Sequence, residues 1–153
     1  MATLIVPTQY LTLAAAVAAA VSGDTILLED GTYAETGAIS TSLTRVKVMA
    51  RNRGAATITC TASLFAAGSA LDQWEFRGVN FYLSGNTSRL AVDGVRASFY
   101  GCTMDFTGRT GNSITTTLAL AMTASSRVVI RGCRFLWGTS FTSGRHISIG
   151  GAS

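Results

Sequence analysis

The chain has 153 residues, of which 48% are hydrophobic and 13% are charged, with a formal net charge of +4. A chain of this length is expected to form one domain with a core of its own, and its apolar content excludes intrinsic disorder. Residues 1–44 carry four acids and no Lys or Arg, whereas residues 45–153 carry 12 basic and four acidic residues. Eleven of the 12 cations are Arg, which suits packed interfaces or reflects only the coding bias of a GC-rich genome.

An apolar, alanine-rich segment, "LTLAAAVAAAV", occupies residues 11–21. It is too short to span a bilayer, and no positively charged region precedes it as in a signal peptide. Leu13, Val17 and Val21 are spaced four apart, which places them on one face of a helix. We predict a capping helix here that ends at Gly23, with a signal peptide as the alternative.

The residues after this helix read as the start of a stacked β structure. Residues 25–28, "TILL", form a short apolar strand, and residues 30–33, "DGTY", are predicted to form a turn. We therefore expect one domain over residues 1–153. Within it, residues 1–22 form an N-terminal strand and the capping helix, and residues 23–153 form stacked coils.

Three segments of the chain align without gaps and share a central glycine. They are "WEFRGVNFYL" (74–83), "ASFYGCTMDF" (97–106) and "VVIRGCRFLW" (128–137). After each glycine, every second residue is apolar, a period typical of strands with one buried face. The predicted core ladder consists of Val79, Phe81, Cys102, Met104, Cys133 and Phe135.

Coils of about 23 residues cannot bury an inner face alone and must stack, as they do in solenoids. The shared glycines Gly78 and Gly101 lie 23 residues apart, and Gly132 follows 31 residues later. A β-sandwich or barrel also has short strands at regular spacing. Like residues at like positions and the scarcity of hairpin turns favour the solenoid.

Two short motifs carry a resemblance to a known fold family. The segments "GDTI" (23–26) and "GTY" (31–33), followed by "VKVMARNRGAATIT" (46–59), are similar to the opening coils of right-handed parallel β-helices of the pectate-lyase-like kind. The resemblance implies an all-β solenoid with a short N-terminal capping α-helix. It implies little about function, because this fold hosts lyases, hydrolases, viral spikes and structural modules.

The residues needed for the known chemistries of this fold are sparse. Calcium-dependent lyases need converging carboxylates and hydrolases need a pair of them, but only Glu29 and Asp30 are adjacent here. The segment "GRHISIGG" (144–151) resembles the "GHG" segment of galacturonan hydrolases, with Arg145 and His146 in place of its His and second Gly. We predict no catalytic residue, no metal site and no cofactor.

The three cysteines, Cys60, Cys102 and Cys133, show neither metal-ligand nor disulfide-framework spacing. Cys102 and Cys133 hold equivalent inward positions in the repeats and are expected to pack as small hydrophobes. A disulfide between them is the alternative.

Basic and aromatic residues recur on the outward face of the repeats. Arg77 and Arg131 share a repeat position, Tyr100 fills it between them, and Arg134 lies nearby. These four are the candidate partner-binding residues. A nucleic-acid footprint would be larger and richer in aromatic residues, so an acidic protein surface is the expected partner.

These observations favour a structural role. The chain is shorter than catalytic β-helices, and no second capping helix follows the last repeat, so the open coil needs a cover. We expect a non-enzymatic virion protein that decorates or cements a phage capsid, bound to the major capsid or another virion protein, as a homo-oligomer with a trimer favoured. It would be assembled in the host cytoplasm, without a signal peptide or membrane. The alternatives are a carbohydrate-active lyase or hydrolase acting on acidic polysaccharide and a glycan-binding module of a tail fibre or spike.

Overall fold

The protein is predominantly β, with parallel strands and one short helix. The computed structural model describes residues 1–66, 71–85, 90–92, 96–108, 120–122, 127–137 and 148–149. The helix is α1 (Leu13–Ala19). The strands are β1 (Thr3–Val6), β2 (Thr25–Leu28), β3 (Gly31–Glu35), β4 (Lys47–Ala50), β5 (Ala56–Cys60), β6 (Trp74–Arg77), β7 (Asn80–Leu83), β8 (Leu90–Val92), β9 (Arg96–Tyr100), β10 (Thr103–Phe106), β11 (Leu120–Met122), β12 (Arg127–Arg131), β13 (Arg134–Trp137) and β14 (Ser148–Ile149).

The described strands form three open sheets in which neighbouring strands run parallel. The first sheet has the order β1-β2-β4-β6-β9-β12, the second β3-β5-β7-β10-β13, and the third β8-β11-β14. From β2 onward, consecutive strands along the chain enter different sheets, so each traverse of the first and second sheets adds one strand to both. We call such a traverse a pass; the five passes are β2–β3, β4–β5, β6–β7, β9–β10 and β12–β13.

The strand register agrees with the alignment of the three repeats. In the first sheet Phe76 pairs with Phe99, which pairs with Ile130. In the second sheet Phe81 pairs with Met104, which pairs with Phe135. Equivalent residues of the third, fourth and fifth passes therefore lie directly above one another, and their side chains form columns.

The core lies between the sheets and is richest in aromatic residues at the third pass. Phe76 stacks on Phe99 at a centroid distance of 4.9 Å and meets Phe81 edge-on at 5.7 Å. Trp74 and Phe65 complete the cluster, and all five rings are fully buried. Of the predicted core ladder, Val79, Phe81, Cys102 and Met104 are buried, whereas Cys133 and Phe135 are partly buried and pack against the core.

The repeat extends further towards the N-terminus than the sequence alignment reaches. In the third to fifth passes, the inward residues of the two sheets are five positions apart, as from Phe76 to Phe81. The separation is seven in the first pass, from Ile26 to Tyr33, and ten in the second, from Val48 to Ile58. Longer connections between the sheets put the early passes out of phase in sequence while their strands keep the same pairing.

The capping helix is shorter than predicted. It ends at Ala19, and Val21, expected on its buried face, is 61% exposed. The Val21 backbone N–H donates to the Asp24 carboxylate at 3.0 Å, which draws the chain out of the helix before Gly23. The prediction that Gly23 terminates the helix is therefore wrong; Ala20 holds the C-cap position in extended conformation.

The segment predicted as a turn at residues 30–33 is largely strand. The Gly31 N–H donates to the Ala55 carbonyl at 3.0 Å, and Thr32 and Tyr33 pair with Thr57 and Ile58 of β5. The chain changes sheets at Glu29 and Asp30, between β2 and β3, and so it begins the second sheet two residues before Tyr33.

Candidate docking groove

A groove follows the corner where the chain passes from the first sheet to the second. Gly78, Gly101 and Gly132 form its floor, with φ of 66°, 61° and 61°. Backbone hydrogen bonds connect the successive corners, from the Gly78 N–H to the Tyr100 carbonyl and from the Gly101 N–H to the Arg131 carbonyl, both at 2.9 Å. Left-handed φ values favour glycine at all three positions, and the close approach of Arg53 favours it further at Gly78 and Gly101.

Arg77, Tyr100 and Arg131 end strands β6, β9 and β12 and lie in register beside the groove. The Arg77 guanidinium carbon is 4.9 Å from the centroid of the Tyr100 ring, a cation–π contact. Its Nε also donates to the Glu75 carboxylate, and this hydrogen bond is the main reason why the pKa of Arg77 is raised. The structure thus brings together three of the four predicted partner-binding residues.

Arg53 lies across the floor of the groove. It comes from the long connection of the second pass, residues 51–55, and its backbone and side chain lie over Gly78. Its guanidinium lies over Gly101 and donates from Nη2 to the Gly132 carbonyl at 3.4 Å. One side chain therefore spans the corners of three successive passes.

Five polar side chains line the groove, and four of them are cationic: Arg51, Arg53, Arg77, Tyr100 and Arg131. Its volume is about 490 Å³. Arg51 pairs with Glu29 at 3.2 Å and Arg77 pairs with Glu75. Within the described part of the chain, Arg53 and Arg131 form no salt bridge, so two guanidinium groups keep an uncompensated charge.

Arg134 does not line the groove. It is the first residue of β13, pairs with Thr103 of β10 and is exposed on the second sheet. Gly132 and Cys133 separate it from Arg131, and the chain changes sheets between the two arginines. Arg134 stays a predicted contact residue on an adjacent face.

Arg51 and Arg53 are groove residues that the sequence analysis did not single out. Both belong to the segment "RNRG" (51–54), whose connection does not align with the three repeats. The signal present in the sequence was the cluster of two arginines directly before a glycine at the repeat spacing. The placement of Arg53 over Gly78 and Gly101 depends on the length of the connection between β4 and β5.

The described acidic side chains are dispersed, or they accept hydrogen bonds from backbone N–H groups. Asp24 accepts hydrogen bonds from the N–H groups of Ala2 and Val21, and Glu35 accepts one from Leu13. Among the described residues, no three His, Cys, Asp or Glu side chains are grouped so as to hold a metal ion. Arg145 and His146 lie outside the described residues.

The three cysteines are free thiols. Burial raises the pKa of both Cys60 and Cys102 to about 11, so these thiols are protonated at neutral pH. Cys102 and Cys133 hold equivalent positions next to the paired residues Thr103 and Arg134. Within the described ranges, no helix has the length and apolar character needed to cross a bilayer.

No protein-family model, curated protein or solved structure matches this chain. The proposals below rest on its own residues.

Proposed function

We propose that the three sheets belong to a right-handed parallel β-helix, a solenoid capped at its N-terminal end by α1. Three features support this architecture: the parallel pairing, the entry of consecutive strands from β2 onward into different sheets, and the columns of equivalent residues. Such a stack is a rigid scaffold on which side chains of successive coils repeat at the spacing of adjacent strands, about 4.8 Å.

We propose that the protein is a non-enzymatic structural component of a virion. It decorates or cements a phage capsid by docking the arginine groove on an acidic surface of the major capsid protein or another virion protein. The observation that carries the proposal is the groove itself, where Arg53 and Arg131 keep uncompensated charges above a floor of glycine. A homotrimer fits this role, because closed symmetry repeats the groove on each copy and strengthens attachment to a symmetric particle.

The chemistry of the groove supports binding rather than proton transfer. Arginine stays protonated in proteins and offers five N–H donors in a planar fork that matches carboxylates. The remaining polar group, Tyr100, has one ring face in contact with Arg77. Such a lining holds an anion without supplying the paired carboxylates of a glycosidase.

The test measures co-sedimentation of the purified protein with undecorated heads from a panel of tailed phages, together with its mass by light scattering. We expect an oligomer that sediments with heads, and Arg131→Glu weakens this binding by about tenfold or more because a favourable charge contact becomes a repulsive one. Arg127→Glu is the matched control, since Arg127 starts the strand that Arg131 ends and does not line the groove.

The competing activity is tested on the same preparation. Polygalacturonate is incubated with the protein, with and without Ca²⁺, and the absorbance of unsaturated products is followed. Turnover by a monomer that binds no head in the panel would overturn the structural role in favour of a carbohydrate-active enzyme.

A further inference from the structure

The four arginines of the groove are not equivalent. Arg51 and Arg77 already bind carboxylates of the same chain, Glu29 and Glu75. Among the described residues, Arg53 donates only to a backbone carbonyl, at 3.4 Å, near the limit of a hydrogen bond. Arg131, the residue before that carbonyl, forms no salt bridge within the described part of the chain. The free binding capacity is therefore concentrated around Gly132.

The floor of the groove is open at this end and covered at the other. A methyl group added at Gly101 would lie 2.8 Å from Nε of Arg53, and one added at Gly78 would lie 3.2 Å from its Cα. A methyl group added at Gly132 would meet no atom of the described residues within 4 Å. The space next to Arg131 can therefore admit another backbone, with the Arg53 guanidinium at its edge.

The shape of the two free groups selects carboxylates. Guanidinium binds a carboxylate through two parallel N–H···O bonds, which are short and strong because both partners are charged. Alternate side chains of an extended peptide point to one side at a spacing of roughly 6.6–7 Å. An extended acidic peptide lying along the corner can present two carboxylates on one face to two arginines that belong to different passes.

Two observations disfavour nucleic acid and a second copy of this chain as the occupant of the groove. Single-stranded nucleic acid binds by stacking bases on open aromatic faces, whereas Arg77 already covers one face of Tyr100. At the corner of the first pass, Glu29 already pairs with Arg51 and accepts a hydrogen bond from Thr8, whereas Asp30 accepts one from the neutral amide of Asn52. Within the described residues, a second copy of the chain therefore offers at that corner one carboxylate without a salt bridge, whereas the two arginines would take two.

We infer that the groove binds an extended acidic segment of a different protein, with carboxylates at alternate positions held by Arg53 and Arg131. This inference rests on the proposed docking function and gives the chemistry of the docked element. The glycine floor provides the close approach, and the two arginines provide the specificity for carboxylates.

The experiment measures fluorescence anisotropy with labelled peptides of identical composition. One peptide repeats Gly-Glu four times, and the other repeats Glu-Glu-Gly-Gly twice, so that no two of its glutamates are two positions apart. We expect the alternating peptide to bind more tightly, and its affinity to fall as salt rises from about 20 to about 200 mM. Arg53→Gln and Arg131→Gln each weaken it by about tenfold, the loss expected for one charged bidentate contact.

Arg127→Gln serves as the control and should leave the affinity unchanged, because it removes the same charge outside the groove. Circular dichroism of each variant establishes that it is folded. Equal affinity for the two peptides, or no effect of Arg53→Gln in a folded protein, overturns the inference. Tighter binding of an oligothymidylate or an oligogalacturonate assigns the groove to nucleic acid or glycan instead.

The two proposals fail in distinguishable ways. If heads bind the wild type and Arg131→Glu abolishes this, but neither peptide binds, docking stands and the extended acidic segment is wrong. If the alternating peptide binds selectively and no head does, the segment stands and the virion setting is wrong.

Discussion

The N-terminal end and the middle of the stack are held together by different interactions. At the N-terminal end, two buried carboxylates bind backbone N–H groups: Asp24 those of Ala2 and Val21, and Glu35 that of Leu13. In the middle, aromatic rings pack around Phe76. Asp24 and Glu35 are the only buried charged residues in the described part of the chain.

The difference follows from the backbone hydrogen-bonding groups that each region must satisfy. In the middle, β6 and β7 have a neighbour on both sides, so strand pairing satisfies the backbone and side chains need only fill space. At the end, the first turn of α1 has N–H groups without intrahelical partners. Glu35 and the Thr12 hydroxyl accept hydrogen bonds from this turn. The remaining carboxylate, Asp24, connects Ala2, the residue before β1, to Val21 after the helix.

The largest effect is expected from removing an aromatic ring in the middle. Phe76→Ala leaves a cavity beside four rings and lowers the free energy of unfolding by about 3–5 kcal/mol, measured by urea denaturation. Phe76→Leu is the control, since it keeps most of the apolar volume and should cost clearly less. A loss below about 1 kcal/mol for Phe76→Ala would contradict a tightly packed centre.

The next largest effect is expected from alanine substitutions in the glycine floor. They separate the cost of backbone strain from the cost of displacing Arg53. Gly101→Ala and Gly132→Ala both force alanine into a left-handed conformation at φ 61°, which costs about 1–2 kcal/mol. Only Gly101→Ala also displaces the Arg53 guanidinium, which lies at 2.8–2.9 Å, so it should be the more destabilising of the two by a small margin, because the end of a long side chain can move aside.

A double-mutant cycle tests the cause of that difference. Combining Gly101→Ala with Arg53→Ala should bring the cost of the glycine substitution down to that of Gly132→Ala. Equal unfolding free energies for the two single glycine variants would show that the contact of Arg53 with the floor contributes no measurable stability.

The sequence predicts the middle of the stack better than its N-terminal end. The period of two and the shared glycine define the columns from Phe76 and Phe81 onward, because three connections of equal length keep the repeats in phase. The first two passes have connections of other lengths, so their phase is lost although their strands pair identically. Arg53 was missed for the same reason, since the reach of a long side chain from an irregular connection is a tertiary property.

The helix shows a second limit of the sequence pattern. The spacing of Leu13, Val17 and Val21 is compatible with one helical face, but the hydrogen bond from Val21 to Asp24 favours an earlier exit. Alanine-rich helices have uniform propensity along their length, so partners elsewhere in the fold decide where they end.

A smaller effect, confined to acid pH, is expected at Asp24. Hydrogen bonds from Ala2 and Val21 lower the pKa of Asp24 below its ordinary value, so the folded state favours the ionised form. Its contribution to stability is full above the unfolded pKa and is lost as pH falls through the lowered folded pKa. Asp24→Asn should weaken the protein near pH 7 and reduce the fall in urea midpoint between about pH 5 and pH 2. An unchanged acid profile would rule out this role.

The smallest effect, with the opposite sign, is expected at Glu35. Burial raises the pKa of Glu35, against the lowering influence of its hydrogen bonds from Leu13 and Ala14. The folded state therefore binds the proton more readily than the unfolded state, and stability rises as pH falls through the raised folded pKa towards the unfolded value.

Glu35→Gln keeps an oxygen acceptor for the Leu13 N–H and has no charge to bury, so it should abolish this rise without destabilising the protein at neutral pH. Urea midpoints of both proteins across this range provide the measurement, and Thr12→Ala, which removes the neighbouring cap without a titrating group, is the control. If Glu35→Gln lost stability at pH 7 while the rise persisted, the bond to α1 would require the carboxylate charge, and hydrogen bonding rather than burial would govern the N-terminal end.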